Sequence, residues 1–588
     1  MFVGCVALAT SCDLTENVQV KADKSMIFGS KSGLELYSNS FYKALPTLKN
    51  GFMQDKMCDV GAVSNTDTFI KQGAYNTETA TSWSWGALKN INYFIDGCND
   101  PKYCTVDDNT RDNYLGIARW FRAWFYYDKL TTYGEVPWFP HDIQSYQNDV
   151  MYKDRDSRDV IIRNLIADLD FAYEHIQATS STGSSTLTRW AAAALKSRVC
   201  LFEAAYRRYH NLTELEITPE ELYREAAKAA KLVIDNSGCS LNTATGKKGA
   251  YRDLFYNETP LTQEVILAVC ANEKSGIFGE QNWWFNARSY GLCWSLVRSF
   301  VHTYLKLDGT PFTDAADYAV KSFTEEMEGR DLRLEQTVRG RNFLWDGKTA
   351  VADIKNLSLT GYQVIKYTLD ESKYDGGAKN INSIPLIRYA EAQAELGVIT
   401  DSEWALTVGA LRKRAGITGG TETLPTTVDG YLQRTFYPDV TSPVLLEIRR
   451  ERAIELVAEG MRFDDLRRWK CGSLMETLPW SGIHIPGLEQ PVDVNGDGVD
   501  DYYFTEGEVT AAPAAYRNIA IRVNQDGVGL YAEANAVAGY DLVYKTGAGD
   551  RYWYPDGRQY LYPIPAKVIR DYKNAGYTIS QNPYWDNE

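Results

Sequence analysis

The chain is poor in the features that mark several common protein classes. Its 588 residues include only five histidines, and none stands in an HExxH pattern or a recognisable Ser-His-Asp set. Residues far apart in sequence still meet in space, so this removes the motif for such an enzyme rather than every constellation. Ten cysteines show no zinc-ligand spacing. Cys98 and Cys104 bracket the turn CNDPKYC, and that spacing leaves a short disulfide and two free thiols equally open. No run of about 18 apolar residues occurs, which excludes a membrane-spanning helix. Positive charge is in deficit, with Lys+Arg 62 against Asp+Glu 77 and a net charge of −15. That argues against a nucleic-acid groove and against a polybasic membrane patch.

What is present describes a folded, aromatic-rich protein. Hydrophobic residues make up 44% and charged residues 24%, the balance of an ordinary globular chain. The length is enough for a large core and exceeds the usual size of one compact domain. The 39 tyrosines and 15 tryptophans supply side chains with one apolar face and one polar handle.

The most ordered stretch is VLLEIRRERAIELVAEGMRFDDLRRWK, Val444 to Lys470. Leu445, Ile448, Leu456, Val457 and Met461 recur at helical spacing without an interrupting proline. Glu447, Glu451, Glu455 and Glu459 fall four apart and form one acidic stripe. A stripe of like charges weakens a lone helix. Arg449, Arg450, Arg452 and Arg462 are expected to neutralise part of it; backbone donors or arginines from elsewhere must meet the rest. Gly460 is expected to break or bend the helix. Phe463, Leu466 and Trp469 then face something apolar. Asp464 and Asp465 are adjacent, so they point apart and do not clamp one bond.

Periodicity predicts further helices over 30–50, from about Ser84, and over Arg111–Tyr133, Ser157–Ile176, Leu187–His210, Glu220–Asp235, Ser383–Leu396 and Ser402–Arg414. Gly134 and Pro137 end the third of these. Small residues at Ala191–Ala194 and at Ala226, Ala227, Ala229 and Ala230 let helices approach closely. EVILAVCAN reads as a strand, and 239–382 and the region after Gly472 otherwise lose helical patterning.

EIRRERAIEL followed by EGMRFDDLRRW closely resembles the C-terminal signature of the SusD/RagB family, outer-membrane lipoproteins that capture nutrients for a partner transporter. TTYGEVPWF, SFVHTYLKLDGTPF, YLYPIPAKVIRDY and QNPYW resemble further segments of that family. The resemblance implies a mainly α fold with tetratricopeptide-like helix pairs as scaffold, a large irregular loop-rich part and few short strands. The expected organisation is a signal remnant and lipoprotein site at 1–12, then one SusD-like domain at 13–588. Within it the helical scaffold lies mainly at 30–235 and 383–470, and the irregular ligand-binding part mainly at 239–382 and 472–560. Small residues Ala9-Thr10-Ser11 before Cys12 resemble a lipobox, which implies a lipid anchor on Cys12 and an outer-membrane, cell-surface location. The stretch lacks a positive n-region, and its apolar part is short.

Two local patterns suggest ligands. In DVNGDGVDD, Asp493, Asn495 and Asp497 alternate as oxygen donors, Val499 offers a carbonyl and Asp501 another carboxylate, as in the first part of a calcium loop. Phe504 stands at the twelfth position instead of Glu, so it is no full EF-hand, and the expected Ca²⁺ is a structural staple. An Asx/Gly-rich turn uses the same residues. Aromatic rings cover the apolar faces of sugars while amides and charges meet the hydroxyls. Trp83 and Trp85 precede a helix, and Trp283, Trp284, Asn286, Arg288 and Tyr290 share a Gly-flanked loop. These are the candidate glycan contacts.

The resemblance thus implies a non-enzymatic glycan-binding lipoprotein that hands oligosaccharides to a TonB-dependent SusC-like transporter. The competing readings are a helical-repeat scaffold that binds only protein and, on two carboxylates across a cleft, a glycoside hydrolase.

Overall fold

The computed structural model describes residues 24–49, 54–144, 146–287, 291–390 and 399–586; Cys12, Arg288 and Tyr290 lie outside them. The longer helices of the first half are α1 (Lys31–Ser38), α2 (Gly86–Cys98), α3 (Asp108–Tyr133), α4 (Arg158–His175), α5 (Arg189–Tyr209) and α6 (Pro219–Asn236). Their ends follow local chemistry. The Asp107 carboxylate accepts from Thr110 N at 3.0 Å to start α3, and Gly134 at φ +75° ends it. Thr218 and Glu221 form a reciprocal capping box on α6, with Pro219 in the first turn. The helix expected over 30–50 is shorter: α1 gives way to 3₁₀ turns at Asn39–Ala44, and Leu36 is exposed instead of joining the apolar face.

Helices α3 to α6 stack as successive neighbours. Asp168 on α4 receives both Arg119 and Arg122 from α3. Glu203 on α5 receives Arg158 from α4 and Arg207 from its own helix. Ser197 Oγ donates to the Ala226 carbonyl across α5 and α6 at 2.9 Å. Ala191–Ala194, Ala226, Ala229 and Ala230 are buried at these contacts, where small side chains permit close approach.

One helix prediction is overturned. Ser383–Leu396 begins as a strand, β2 (Ile384–Arg388), antiparallel to β1 (Val265–Val269), with Val269 opposite Ile384. A short apolar run buried on both faces carries no period that separates strand from helix. Pairing with β1 also brings Arg388 into the interior, where it is needed. Residues 391–398 lie outside the described residues. The helix expected over Ser402–Arg414 splits at Thr407 into Asp401–Leu406 and α7 (Val408–Arg414).

Glu447, Glu451 and Glu455 of the acidic stripe lie on α8 (Pro443–Glu455) and Glu459 lies in the turn after it; most of their partners come from distant elements. Glu451 meets Arg333 at 2.8 Å and Arg412 at 2.8 Å. Glu455 meets Arg333 at 3.0 Å, Arg388 at 2.9 Å and also Arg414. Glu459 receives Lys366 at 2.7 Å and Arg388 at 2.6 Å. Within the stretch, Arg450 pairs with Glu447, while Arg452 and Arg462 reach Asp465 and Asp59. Burial works against ionisation of Glu455, yet Arg414, Arg388 and Arg333 hold its carboxyl well below the usual range. The helix stops at Glu455, earlier than Gly460. The turn that follows uses positive φ at Ala458 (+67°) and Gly460 (+81°) before α9 (Arg462–Arg468). Phe463, Leu466 and Trp469 are buried, as their spacing predicts.

Beyond α9, β3 (Ser481–Ile485), β7 (Gly529–Ala534) and β8 (Tyr540–Lys545) make an antiparallel sheet in the order β7-β8-β3. Strand β5 (Tyr502–Thr505) pairs antiparallel with β4 (Pro491–Val492) and parallel with β6 (Ala520–Arg522). A last helix, α10 (Ala566–Asn574), returns to the first half. The fold is mainly α, with paired helices and short strands. Its apolar interior forms two main clusters, one mainly among α1–α6 with Tyr572 of α10, and one mainly among 250–545 with Leu48 and Cys58–Val63. Cys98 and Cys104 are both free thiols.

Candidate functional site

The segment before α2 carries Trp83 and Trp85, and alternation puts both rings against one wall. They meet edge to face at 5.3 Å between centroids and 72° between planes. Trp83 packs on Tyr133 at 4.9 Å and Trp85 on Phe139 at 5.2 Å. Both tryptophans remain half-buried, so each keeps part of its ring for the space beside it. That space is a cavity of about 930 Å³ bounded by α2, residues 139–152 and α10. Tyr152 and Tyr572 face it from the other side, edge to face at 5.1 Å. Leu88, Ile143, Met151 and Val568 complete an apolar lining.

The polar groups of this cavity are few. Asn92 lies in its wall and donates both amide hydrogens inward, to Phe139 O at 2.7 Å and His141 O at 3.1 Å. The His141 ring bonds Asp96 at 2.7 Å. One ion pair crosses the rim, Arg570 to Glu78 at 2.6 Å, and a second runs along α10, Lys567 to Asp571 at 2.6 Å. The hydrogen bond from Arg570 holds the Glu78 carboxyl below its ordinary range. Such a lining offers flat apolar faces with a sparse set of polar anchors, the usual form of a small-molecule site.

The other sequence candidates lie elsewhere. Trp283, Trp284 and Asn286 sit on a short helix, Gln281–Asn286, instead of an open loop. Trp284 packs against the second apolar cluster, whereas Trp83 and Trp85 pack against the first, so Trp284 and the Trp83–Trp85 pair rest on different cores. The Asn286 amide donates to Asp375 at 3.1 Å. In the 493–501 loop the carboxylates fold back on the chain. Asp493 accepts from Gly496 N and Gly498 N, each at 2.7 Å, and Asp497 accepts from Val499 N at 2.9 Å. Asn495 Oδ1 accepts from Asp497 N at 3.0 Å and Asp501 from Val494 N at 2.8 Å. Burial pushes the Asp501 carboxyl up, and the nearby Asp493 and Asp497 push the same way. Among the described residues, no three His, Cys, Asp or Glu side chains are gathered as a metal-binding set.

A family model described as the SusD family matches residues 263–585. The chain belongs to the SusD family. The solved structures agree in fold. A SusD-like carbohydrate-binding protein from Bacteroides fragilis NCTC 9343 superposes with a TM-score of 0.65 at 18% identity, covering 94% of this chain and 99% of that one. A second SusD-like protein from that organism gives 0.61 at 19% identity, covering 96% and 98%. A laminarin-binding SusD-like protein gives 0.55 at 15% identity, covering 94% and 98%. A search of curated proteins finds no match. In this SusD-family chain the matched segment contains the buried charge network and the α10 wall of the cavity. Trp83, Trp85 and α2 precede it. His141, Tyr152, Lys567, Arg570 and Tyr572 carry no local signal in the sequence, because 139–152 and 565–572 meet only through the fold.

Proposed function

We propose that this SusD-family protein binds an oligosaccharide in the Trp83–Trp85 cavity and does no bond chemistry on it. The observation that carries the reading is the pair of half-buried tryptophan rings set edge to face on the wall of a 930 Å³ apolar cavity. The resemblance to carbohydrate-binding and laminarin-binding SusD-like proteins supports a glycan as the ligand. A hydrolase needs one carboxylic acid kept protonated beside a second carboxylate. The carboxylates in this lining, Glu78 and Asp571, are each paired to a cation at 2.6 Å, which favours binding over cleavage.

The bound glycan would pass to a TonB-dependent SusC-like transporter docked on the helix-pair face, with a lipid on Cys12 holding the protein at the outer-membrane surface. No described helix is long and apolar enough to cross a membrane, which agrees with a lipid as the anchor. Ca²⁺ would staple the 493–501 loop: its sequence alternates oxygen donors, and a cation would offset the burial, with the smaller push of Asp493 and Asp497, that raises Asp501. Affinity-gel retention over a glycan panel, with analysis of the sugars for cleavage, tests the main reading. Retention without smaller products is expected. Release of smaller sugars would make the protein an enzyme, and partner binding without any glycan retention would make it a scaffold.

A further inference from the structure

A second cavity, of about 500 Å³, lies where the first turn of α4 and the end of α5 meet residues 556–561 and 581–584. It shares no lining residue with the Trp83–Trp85 cavity. Arg158 opens α4 and is 4% exposed. Its Nε and Nη2 donate to Glu203 at 2.9 and 2.6 Å. Nη1 is left over, and among the described residues nothing accepts from it. It lies against Gly134: a Cβ added there would meet Nη1 at 2.7 Å and Leu561 at 3.2 Å. Leu561 and Glu135 line the cavity, so this corner of the guanidinium forms part of its wall. Tyr206 on α5 also lines it and is 5% exposed, with its ring 4.4 Å from the Arg158 guanidinium and 4.0 Å from the His210 ring. The Tyr206 hydroxyl has no hydrogen-bond partner among the described residues. Unpaired nitrogens of other buried arginines, such as Arg207 Nη2 and Arg467 Nε, are closed off from solvent; Arg158 Nη1 and the Tyr206 hydroxyl are not. Two neighbouring donors thus open on one cavity with nothing to donate to, in a wall where most donors are satisfied.

The rest of the lining supplies both signs of partner. Arg155 is half-buried, and its hydrogen bonds all go to neutral groups, Ser580 Oγ, Asn582 Oδ1 and the Gln581 carbonyl. Asp556 is paired to Arg558 at 2.7 Å, but Glu135 pairs with no described cation. His210 donates from Nε2 to Arg467 O at 2.8 Å, and burial brings its pKa down to about 4, so the neutral ring keeps Nδ1 as an acceptor. We propose that this cavity is a second ligand site and takes a sugar acid: the carboxylate accepts from Arg158 Nη1 and the Tyr206 hydroxyl, and ring hydroxyls donate to Glu135 and His210 Nδ1. The carboxylate follows from the two open donors, one of them cationic. The sugar follows from the acceptors beside them, since a bare anion would lie near Glu135 with no hydrogen to offer it. The volume falls within the usual range of small-molecule sites. The proposal is independent of the reading of the Trp83–Trp85 cavity.

Calorimetry of the native protein tests this with glucuronate and galacturonate against glucose and galactose, and against succinate, phosphate and sulfate. One uronate is expected to bind at least about tenfold more tightly than its neutral parent sugar and than the small anions. Tyr206→Phe removes only a hydroxyl that no described residue uses. Its melting temperature should therefore stay unchanged while the uronate binds about tenfold more weakly. Retention of neutral glycans on affinity gels should be unaltered in that variant. Equal binding of the uronate and its neutral parent overturns the proposal, because no carboxylate is then read. Small anions that bind as tightly as the uronate overturn the sugar-acid assignment, and absence of uronate binding removes the site altogether. An undiminished uronate affinity in Tyr206→Phe places the ligand elsewhere and also overturns it. If Tyr206→Phe does not fold, a crystal structure of the native protein with the uronate decides. Carboxylate oxygens within about 3.2 Å of Arg158 Nη1 and the Tyr206 hydroxyl support the assignment, and a carboxylate placed anywhere else refutes it.

Discussion

Arg388 Nη1 lies 2.9 Å from Glu455 Oε1, joining the end of β2 to the last turn of α8 across 67 residues of sequence. Both side chains are buried. The same guanidinium also reaches Glu264 and Glu459. The acidic stripe is thus the centre of a buried ion network, and pairing with arginines is why its charges survive at helical spacing without weakening the helix.

Removing one member should leave the others uncompensated. Arg388→Met is expected to destabilise the protein by about 3–5 kcal/mol, the usual cost of breaking a buried pair from one side. Urea denaturation followed by tryptophan fluorescence measures it. A loss no larger than that of Glu328→Gln, which breaks the exposed pair with Arg341, would show that the network is dispensable.

Glu326 sets an acid limit on stability. Burial raises its carboxyl, but the hydrogen bond from His302, the charge of Arg298 and the hydrogen bond from Tyr362 outweigh that and bring it from 4.5 to about 2. A carboxyl depressed on folding contributes stability that is complete above pH 4.5 and lost as the pH falls from there through 2. At about 1.4 kcal/mol per unit the contribution is roughly 3 kcal/mol. In Glu326→Gln the melting temperature should drop at neutral pH, and its decline between pH 4.5 and 2 should be shallower. An unchanged acid slope would count against the assignment.

Glycan retention should depend on the cavity rings. Stacking worth roughly 1 kcal/mol per ring makes Trp83→Ala with Trp85→Ala about 30-fold weaker. Trp283→Ala with Trp284→Ala should instead lower the melting temperature while leaving affinity nearly unchanged, because Trp284 packs on the second core. Affinity electrophoresis compares them, and the reverse pattern would move the site to the 281–286 helix.

Calcium binding to the 493–501 loop should stabilise the native form alone. At calcium about 100-fold above its Kd the gain is about 2.7 kcal/mol, or roughly 2 °C for a chain of this length. The melting temperature should rise in CaCl₂ over EDTA, and the rise should vanish in Asp497→Ala. Identical melts under all three conditions would leave an Asx-turn ladder and no ion.

Membrane attachment should depend on Cys12. Expressed from its full reading frame in cells without the transporter, Cys12→Ala should leave the outer-membrane fraction for the soluble one. Persistence of the variant in the membrane would mean that something other than a lipid holds it.

The sequence by itself determined the family, most of the helices and the absence of a spanning segment. Helical periodicity and end signals are local, so Gly134 marks the end of α3 without reference to the rest of the fold, whereas the caps at Asp107 and Thr218 start their helices ahead of the predicted Arg111 and Glu220. It also showed that the stripe at Glu447–Glu459 needs backbone donors or arginines from elsewhere, since adjacent charges satisfy only part of it. Which arginines was decided by tertiary structure: Arg333, Arg388, Arg412 and Arg414 reach the stripe only after distant elements pack. The strand at Ile384–Arg388 belongs to the same class, because its partner at Val265–Val269 lies over a hundred residues away and a buried apolar run has no telling period. So does the cavity. Trp83 and Trp85 were legible as aromatics ahead of a helix, but Tyr152, Arg570 and Tyr572 join them only when α10 returns to the first half. The open donors at Arg158 Nη1 and the Tyr206 hydroxyl are likewise visible only in three dimensions, since an unmet hydrogen bond is a property of what surrounds an atom.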